Sequence, residues 1–230
     1  MRGKETKDLT VGSPFRLILG FAIPMWFGYL FQQFYNMVDT IIVGQCLGVG
    51  ALASVGSTGS INFMINGFCI GVSSGFVIPV AQRFGAGDYV GMRKFVATAA
   101  WLTAGFASVM TVIVGVLCMQ ILTWMNTPAD IIQGAYDYIF VIFMGIPVTY
   151  LYNILAGIIR SLGDSKTPVY FLLLSSLLNI VLDIVTVLVF DMGVGGPALA
   201  TVVSQGVSAV LCFLYMRKNY PILKMTEEEK

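Results

Sequence analysis

Two aspartates lie inside long apolar stretches of the sequence, where a carboxylate is costly. Asp39 occurs in FYNMVDTIIVG and Asp183 in LLNIVLDIVTVLVF, and Asn179 precedes Asp183 by four residues. An ionised carboxylate at the centre of a membrane helix costs about 2.5–3.5 kcal/mol, so such residues are rare and usually functional. Because residues four apart in a helix share one face, Asn179 and Asp183 should present their polar groups together. These residues predict a polar site inside a membrane.

The predicted depths of the polar residues are similar. With a rise of ~1.5 Å per residue, Asp39 and Thr201 come out roughly 7 Å below the outer boundary, and Asp183 roughly 10 Å. Two carboxylates, an amide and a hydroxyl at one level form an oxygen-rich site for a proton or Na+. The alternative is that each aspartate caps a kink or bonds to neighbouring hydroxyls, with no transported ion. Asp137 lies near the outer end of its segment and is expected to be interfacial.

The composition is that of a membrane protein. Of 230 residues, 57% are hydrophobic and 11% are charged, and the mean hydropathy is +0.84. Continuous apolar runs of about twenty residues favour transmembrane helices over a barrel, whose strands alternate apolar and polar residues. The sequence contains no histidine, which excludes histidine-based acid–base catalysis and histidine-ligated metals, and its four cysteines lack CxxC spacing. The cysteines are therefore interpreted as small buried apolar residues.

Six apolar segments are long enough to cross a membrane. They are 15–43, 51–82, 95–125, 131–159, 169–190 and 198–216. Every Lys and Arg lies at or before the start of the first segment, around the second or fourth connecting loop, or after the sixth segment. The other three loops, GQCLGVG, NTPAD and DMGVGG, contain none. Because basic residues stay on the cytoplasmic side, this sorting predicts that both chain ends are cytoplasmic.

Pro24 lies in the middle of the first segment, and Gly28 follows one turn later. Proline lacks an amide hydrogen and its ring clashes with the preceding turn, so the helix should kink or break there. A hinge that lets the helix bend and a static kink that packing tolerates are both consistent with this pattern.

Three short motifs resemble those of intramembrane aspartyl proteases. They are Tyr136-Asp137, Ser161-Leu162-Gly163-Asp164 and Pro197-Ala198-Leu199. The two aspartates of such a dyad must share one water within hydrogen-bonding reach. Asp137 and Asp164 are instead separated by one whole helix, about 40 Å at helical rise, on opposite membrane faces. The spacing therefore argues against a protease, and the chain is predicted not to be an enzyme.

Several stretches together resemble the amino-terminal lobe of the multidrug and toxic compound extrusion (MATE) family. They are MVDTIIVGQCLGVGALASVG, PVAQRFGAGD, IIRSLGDSKTP and NIVLDIVTVLVFDMGVGGPALATVVSQ, which span nearly the whole chain. The resemblance implies an all-α membrane protein whose six-helix bundle is one lobe of a twelve-helix fold. It divides the chain into a cytoplasmic tail, 1–14, the transmembrane lobe, 15–216, and a second cytoplasmic tail or the start of an inter-lobe linker, 217–230.

The resemblance also implies a function and its residues. The implied function is a Na+ or H+ antiporter that exports organic, mostly cationic compounds and needs no cofactor besides the coupling ion. The family's cation site matches Asp39, Asn179, Asp183 and Thr201, which would bind Na+ or a proton, together with the carbonyl of Pro197. Pro24 matches a bending proline. Gln32, Tyr35 and, more loosely, Asn153 match residues that line the lobe cavity.

The length departs from the family pattern, because members have two lobes and this sequence covers one. A half-length product that pairs with itself or with a partner lobe, and a non-transporting fragment, are the two expectations. The partners expected are the lipid bilayer, small organic cations and a second six-helix lobe, without nucleic acid, in the plasma membrane or the inner membrane of a bacterium. A lipid-linked sugar flippase of the same superfamily is the alternative; such proteins line their lumen with Arg and Lys, which the six segments lack in their interior.

Overall fold

The computed structural model describes residues 12–224, and this part of the chain is helical from end to end apart from short turns. Residues 1–11 and 225–230, which carry most of the predicted amino-terminal tail and the end of the second tail, lie outside the described residues. The helices are α1 (Pro14–Leu47), α2 (Val49–Ser57), α3 (Gly59–Gly85), α4 (Tyr89–Trp124), α5 (Ile132–Met144), α6 (Ile146–Ser161), α7 (Lys166–Ile184) and α8 (Gly195–Asn219). A π-helical turn (Val185–Val189) extends α7, and a 3-10 turn (Pro221–Leu223) follows α8.

These helices make six candidate membrane spans. Five are long and apolar enough on their own, namely Pro14–Leu47, Val49–Gly85, Tyr89–Trp124, Lys166–Val189 and Gly195–Asn219. The sixth is the pair α5 and α6, which together pass the same criteria and meet at a bend of 43°. The prediction of a six-helix, all-α membrane bundle is therefore confirmed.

The fourth span differs from the uninterrupted segment that the sequence predicted. Its two halves, α5 and α6, meet at Gly145, and Pro147 lies in the first turn of α6. Proline is tolerated there because the first turn of a helix has no partner for its amide hydrogens. Gly145 is required by packing, because a Cβ atom at this position would collide with Val202 of α8. The bend thus lets the fourth span lie against the sixth.

The first span contains no break. Helix α1 runs continuously from Pro14 to Leu47 through Pro24. Helix α1 is therefore not broken at Pro24, and a kink within the continuous helix stays a prediction. A hinge motion at Pro24 stays a prediction.

Helix α6 forms the centre of the bundle and α1 its edge. Eight of the 16 residues of α6 are buried, and a Cβ atom on Gly157 would lie 2.8 Å from the Val77 side chain of α3, so the two helices approach closely. Helix α1, in contrast, buries only Gly28, Asp39 and Val43, and it packs chiefly along α7. The span that carries Asp39 is therefore the one least held by the rest of the lobe.

The turn before α4 is closed by Asp88. Its carboxylate accepts hydrogen bonds from the Gly91 amide and from the Arg83 guanidinium, both at 2.8 Å. The Gly91 amide, and to a smaller extent Arg83, hold the pKa of Asp88 below its usual range. The PVAQRFGAGD stretch thus caps a helix on the side of the lobe predicted to be cytoplasmic.

A hydrogen-bonded cluster at Asp164 ties the end of α8 to the loop between α6 and α7. The Asp164 carboxylate accepts hydrogen bonds from the hydroxyls of Thr167 at 2.6 Å, Tyr220 at 3.1 Å and Tyr215 at 3.2 Å. Burial raises the pKa of the Tyr220 hydroxyl, which therefore stays protonated and available as a donor. Arg93 of α4 donates to the Ile222 carbonyl at 3.3 Å. The start of the predicted tail, 217–224, is thus packed helix and turn.

Asp164→Ala is expected to lower the free energy of unfolding by about 1–3 kcal/mol, because it leaves tyrosine hydroxyls without their acceptor. Thermal unfolding of the purified chain in detergent would measure the loss. Asp130→Ala is the matched control, because Asp130 is exposed in the loop between α4 and α5. Equal shifts for the two variants would contradict a stabilising role for the cluster.

Candidate cation site and solute cavity

A cavity of about 670 Å3 lies within the lobe and is lined by residues of α1, α3, α5, α6, α7 and α8. Gln32 and Tyr35 of α1 and Asn153 of α6, the three residues predicted to face a cavity, all line it. Asp39, Asn179 and Thr201 line it as well. The cavity wall is therefore rich in amide, hydroxyl and phenol groups, with a carboxylate among them.

The four side chains of the predicted cation site come together from three helices. Asn179 of α7 donates through Nδ2 to Asp183 Oδ1 at 3.4 Å and to Thr201 Oγ1 of α8 at 3.3 Å. The carboxyl groups of Asp39 and Asp183 lie close enough to interact directly. Asp183 is fully buried, and Asp39 and Asn179 are 9% and 2% exposed. Helix α1 thus brings one acid to the buried polar pair of α7.

Three oxygens of this cluster are buried without a hydrogen-bond donor among the described residues. They are Asp39 Oδ1, Asn179 Oδ1 and Asp183 Oδ2. A buried acceptor without a donor costs about 1–3 kcal/mol, and more when it is charged. Carboxylate, amide and hydroxyl oxygens are the ligands that hard cations prefer, and a carboxylate can also take up a proton. These oxygen ligands therefore fit the Na+ or proton that the sequence predicted.

Irregular backbone surrounds Asp183. The π-helical turn Val185–Val189 begins two residues after it, and the Thr186 hydroxyl donates to the Asp183 carbonyl at 3.2 Å. Such π turns interrupt the regular hydrogen-bond ladder and recur at functional sites. Pro197 lies buried in the first turns of α8, one turn before Thr201; the part of its carbonyl in cation binding stays a prediction.

The sequence did not single out Tyr138 of α5. Its side chain is 7% exposed, lines the cavity, and lies near enough to Asp39 and Asp183 for electrostatic interaction with both. Its neighbour Asp137 is exposed and accepts a hydrogen bond from Gln133 at 2.9 Å, in keeping with its predicted interfacial position. Asp137 and Tyr138 thus lie on different sides of α5, and only the packing of that helix decides which side turns inward.

The structure places Arg160 in a helix and not in the loop that the sequence predicts. The hydropathy pattern predicts that it lies in the loop after the fourth segment, whereas it lies in the last turn of α6 and lines the cavity. The prediction that Arg160 belongs to that loop is therefore wrong, because α6 continues to Ser161.

The MatE family model matches residues 24–185. The chain belongs to the MatE family. It is 32% identical over 218 residues to the probable multidrug resistance protein YoeA of Bacillus subtilis (strain 168), a match that covers 93% of this chain and 47% of the relative. It is 24% identical over 195 residues to a protein named FAD transporter of Shewanella oneidensis, which covers 82% and 42% of the two chains.

Solved structures of the family match the whole fold. A crystal structure of MATE in the straight conformation superposes with a TM-score of 0.87 and 27% identity, and the match covers 100% of this chain and 51% of the other. The resemblance inferred from the motifs and the equivalence to one MatE lobe are therefore confirmed. The chain spans about half the length of the curated relatives that it matches.

Proposed function

We propose that this MatE lobe is one half of a cation-coupled antiporter that exports organic, mostly cationic compounds in exchange for Na+ or H+. The observation that carries the proposal is a set of three buried oxygens, on Asp39, Asn179 and Asp183, that have no hydrogen-bond donor among the described residues and lie beside the cavity. A bound proton or Na+ would satisfy these oxygens and neutralise part of their charge. No cofactor other than the coupling ion is part of the proposal.

Asp39 is positioned to link the ion with the solute. It lines the cavity, whereas Asp183, with which it interacts, lies behind the cavity wall. An organic cation in the cavity and an ion in the site would therefore compete for the same negative charge. Tyr35 and Tyr138 line the cavity near the acids and offer aromatic faces, to which organic cations bind. Competition for one charge is the simplest form of exchange coupling.

Helix α1 is the element that such exchange would move. Only three of its own residues are buried in the lobe, so a shift of this helix would expose few buried side chains. An ion can change the position of α1 only if it binds more tightly when the helix is in one position than when it is in the other. Asp39 on α1 and Asp183 on α7 supply that difference, because their mutual repulsion is relieved when a cation binds.

A second six-helix lobe, from a copy of this chain or from a partner, belongs to the proposal. Gln33 and Asn36 are exposed on α1 and line the cavity, and amides that face hydrocarbon are costly. A facing lobe with an aqueous path between the two would remove that cost. The twofold greater length of the relatives supports this arrangement, and the plasma membrane, or the inner membrane of a bacterium, is the expected location.

The flippase alternative is less well supported. It predicted a lumen lined with several basic residues, and among the described residues that line the cavity only Arg160 is basic. One relative bears the name FAD transporter, which supports a substrate range wider than simple organic cations.

Dye efflux from cells that lack their own pumps would test the proposal. Cells that express the chain should lose a cationic dye such as ethidium faster than cells with an empty vector, and the rate should follow either an imposed Na+ gradient or an imposed pH gradient. Native mass measurement in detergent should show a particle larger than one 25.0 kDa chain. Efflux no faster than in the vector control, under both gradients, would contradict the proposal.

A further inference from the structure

Arg160 is a basic side chain on the cavity wall. It is half-buried in the last turn of α6, and within residues 12–224 its guanidinium forms no ion pair or side-chain hydrogen bond. A cation near the carboxyl end of a helix is stabilised by the helix dipole. That effect explains why the charge is tolerated, but not why it lines the cavity.

A smaller cavity of about 240 Å3 lies at this position. Arg160, Ser73 and Ser74 line it, together with Asn153 and the face of α1 that carries Phe21. Ser74, Asn153 and Arg160 also line the main cavity, so the two adjoin. The smaller cavity is thus a side pocket of the solute cavity, at the end of α6 that is predicted to be cytoplasmic.

Ser73 gives the side pocket a second donor. Its side chain is 2% exposed, and its hydroxyl has no hydrogen-bond partner among the described residues. A serine in a helix normally donates to the carbonyl four residues earlier. A buried hydroxyl without a partner is costly, and here it shares a pocket with an unpaired guanidinium.

We propose that Arg160 and Ser73 form a subsite for the anionic group, a phosphate or a carboxylate, of an amphipathic solute in the cavity. The inference rests on the proposed function, because it places a solute in that cavity. A guanidinium binds phosphate or carboxylate through two parallel hydrogen bonds, and the Ser73 hydroxyl adds a third. Asp39 toward the outer side and Arg160 toward the cytoplasmic side give the cavity opposite charges at its two ends. Solutes that carry both charges, or an anionic group alone, are then ligands besides simple cations.

Flavin binding to the purified chain tests the subsite without any gradient. Riboflavin and flavin mononucleotide (FMN) differ by one phosphate, and both report binding by a change in their fluorescence. In nanodiscs of phosphatidylcholine, FMN is expected to bind at least about tenfold more tightly than riboflavin, the strength of one charge-assisted contact. This binding can fail while dye efflux succeeds, and the reverse, so the two proposals are tested separately.

Arg160→Gln should abolish the preference for FMN and leave riboflavin binding within about twofold of the original. Arg160→Lys should retain part of the preference, because lysine keeps the charge but not the paired geometry. Ser73→Ala, which changes no charge, should reduce the preference by a few-fold. Lys166→Gln is the matched control: it removes a positive charge from the exposed start of α7 and should leave the preference unchanged.

The lipid composition of the nanodiscs distinguishes a lipid headgroup from a soluble anion as the source of the anionic group. If a lipid headgroup also occupies the subsite, nanodiscs that contain phosphatidylglycerol should weaken FMN binding to the original chain but not to Arg160→Gln. If only soluble anions enter, FMN binding should be the same in both lipids; either result supports the subsite. Equal binding of FMN and riboflavin, or a preference that persists in Arg160→Gln, would overturn the proposal, and so would an absence of FMN binding.

Discussion

Asp183→Asn is expected to lower gradient-driven dye efflux by at least about tenfold while the lobe stays folded. Asp183 is fully buried and shares the site with Asp39 and Asn179. Asparagine has nearly the same shape but removes one of two negative charges, and tenfold corresponds to a loss of about 1.4 kcal/mol in cation affinity. The loss should be seen at saturating dye under whichever gradient drives transport.

The stability of Asp183→Asn separates a functional role from a structural one. If Asp183 served mainly to hold the helices together, its replacement would lower the unfolding temperature. An unpaired buried oxygen is costly, so we expect the variant to be as stable as the original chain or more stable. Addition of the coupling ion should raise the unfolding temperature of the original chain alone, because only a state that binds the ion gains stability from it.

Asp137→Asn is the matched control for Asp183→Asn. It removes a carboxylate from the same lobe, but one that is exposed near the outer end of α5 and bonded to Gln133. Its efflux should stay within about twofold of the original, since exposed charges contribute little. Equal losses in the two variants would show that net charge, and not the buried site, determines transport.

Gly145→Val is expected to destabilise the lobe by about 1–3 kcal/mol and to reduce the yield of folded protein, as overpacking does in well-packed interiors. The added side chain would collide with Val202 of α8 at the bend of the fourth span. Thermal unfolding in detergent and the monodisperse fraction in size-exclusion chromatography would measure the effect.

Two further variants make the test of Gly145 specific. Gly105→Val in α4 adds the same side chain where a Cβ atom would meet nothing within 4 Å beyond its chain neighbours and its own helix backbone, so it carries the intrinsic helix penalty without the collision. Val202→Ala combined with Gly145→Val should recover part of the lost stability, because residues in contact show coupled effects. The packing argument would be contradicted if Gly105→Val lost as much stability as Gly145→Val, or if the double variant recovered none of the lost stability.

Hydropathy and charge are sufficient to count the spans from the amino-acid sequence. Apolar runs, the basic residues at their ends and the polar loops between them are local properties of the chain, because insertion into a membrane depends on the free energy of each segment in turn. The positions of Asp39 and Asp183 inside apolar segments can be recognised from the sequence for the same reason. Asn179 could be assigned to the face of Asp183 from spacing alone, since the two lie on one helix.

The surroundings of the site depended on packing between distant segments. Tyr138 lies near Asp39 because α5 turns this side chain toward the cavity, and no local pattern specifies which face of α5 turns inward. Arg160 lies on the cavity wall because α6 extends to Ser161, two residues beyond its last apolar residue, Ile159. A boundary set by hydropathy cannot resolve that last turn, since arginine is polar whether it faces a cavity or water.

The sequence by itself thus determined the family, the six crossings and the two acids that a membrane does not readily tolerate, since each follows from residue type and spacing along one helix. Only the tertiary structure decided that α1 brings Asp39 to Asp183, that their oxygens and that of Asn179 lie without donors among the described residues, and that a basic pocket adjoins the cavity. These are relations between helices, and they depend on how side chains of different spans fill the space between them.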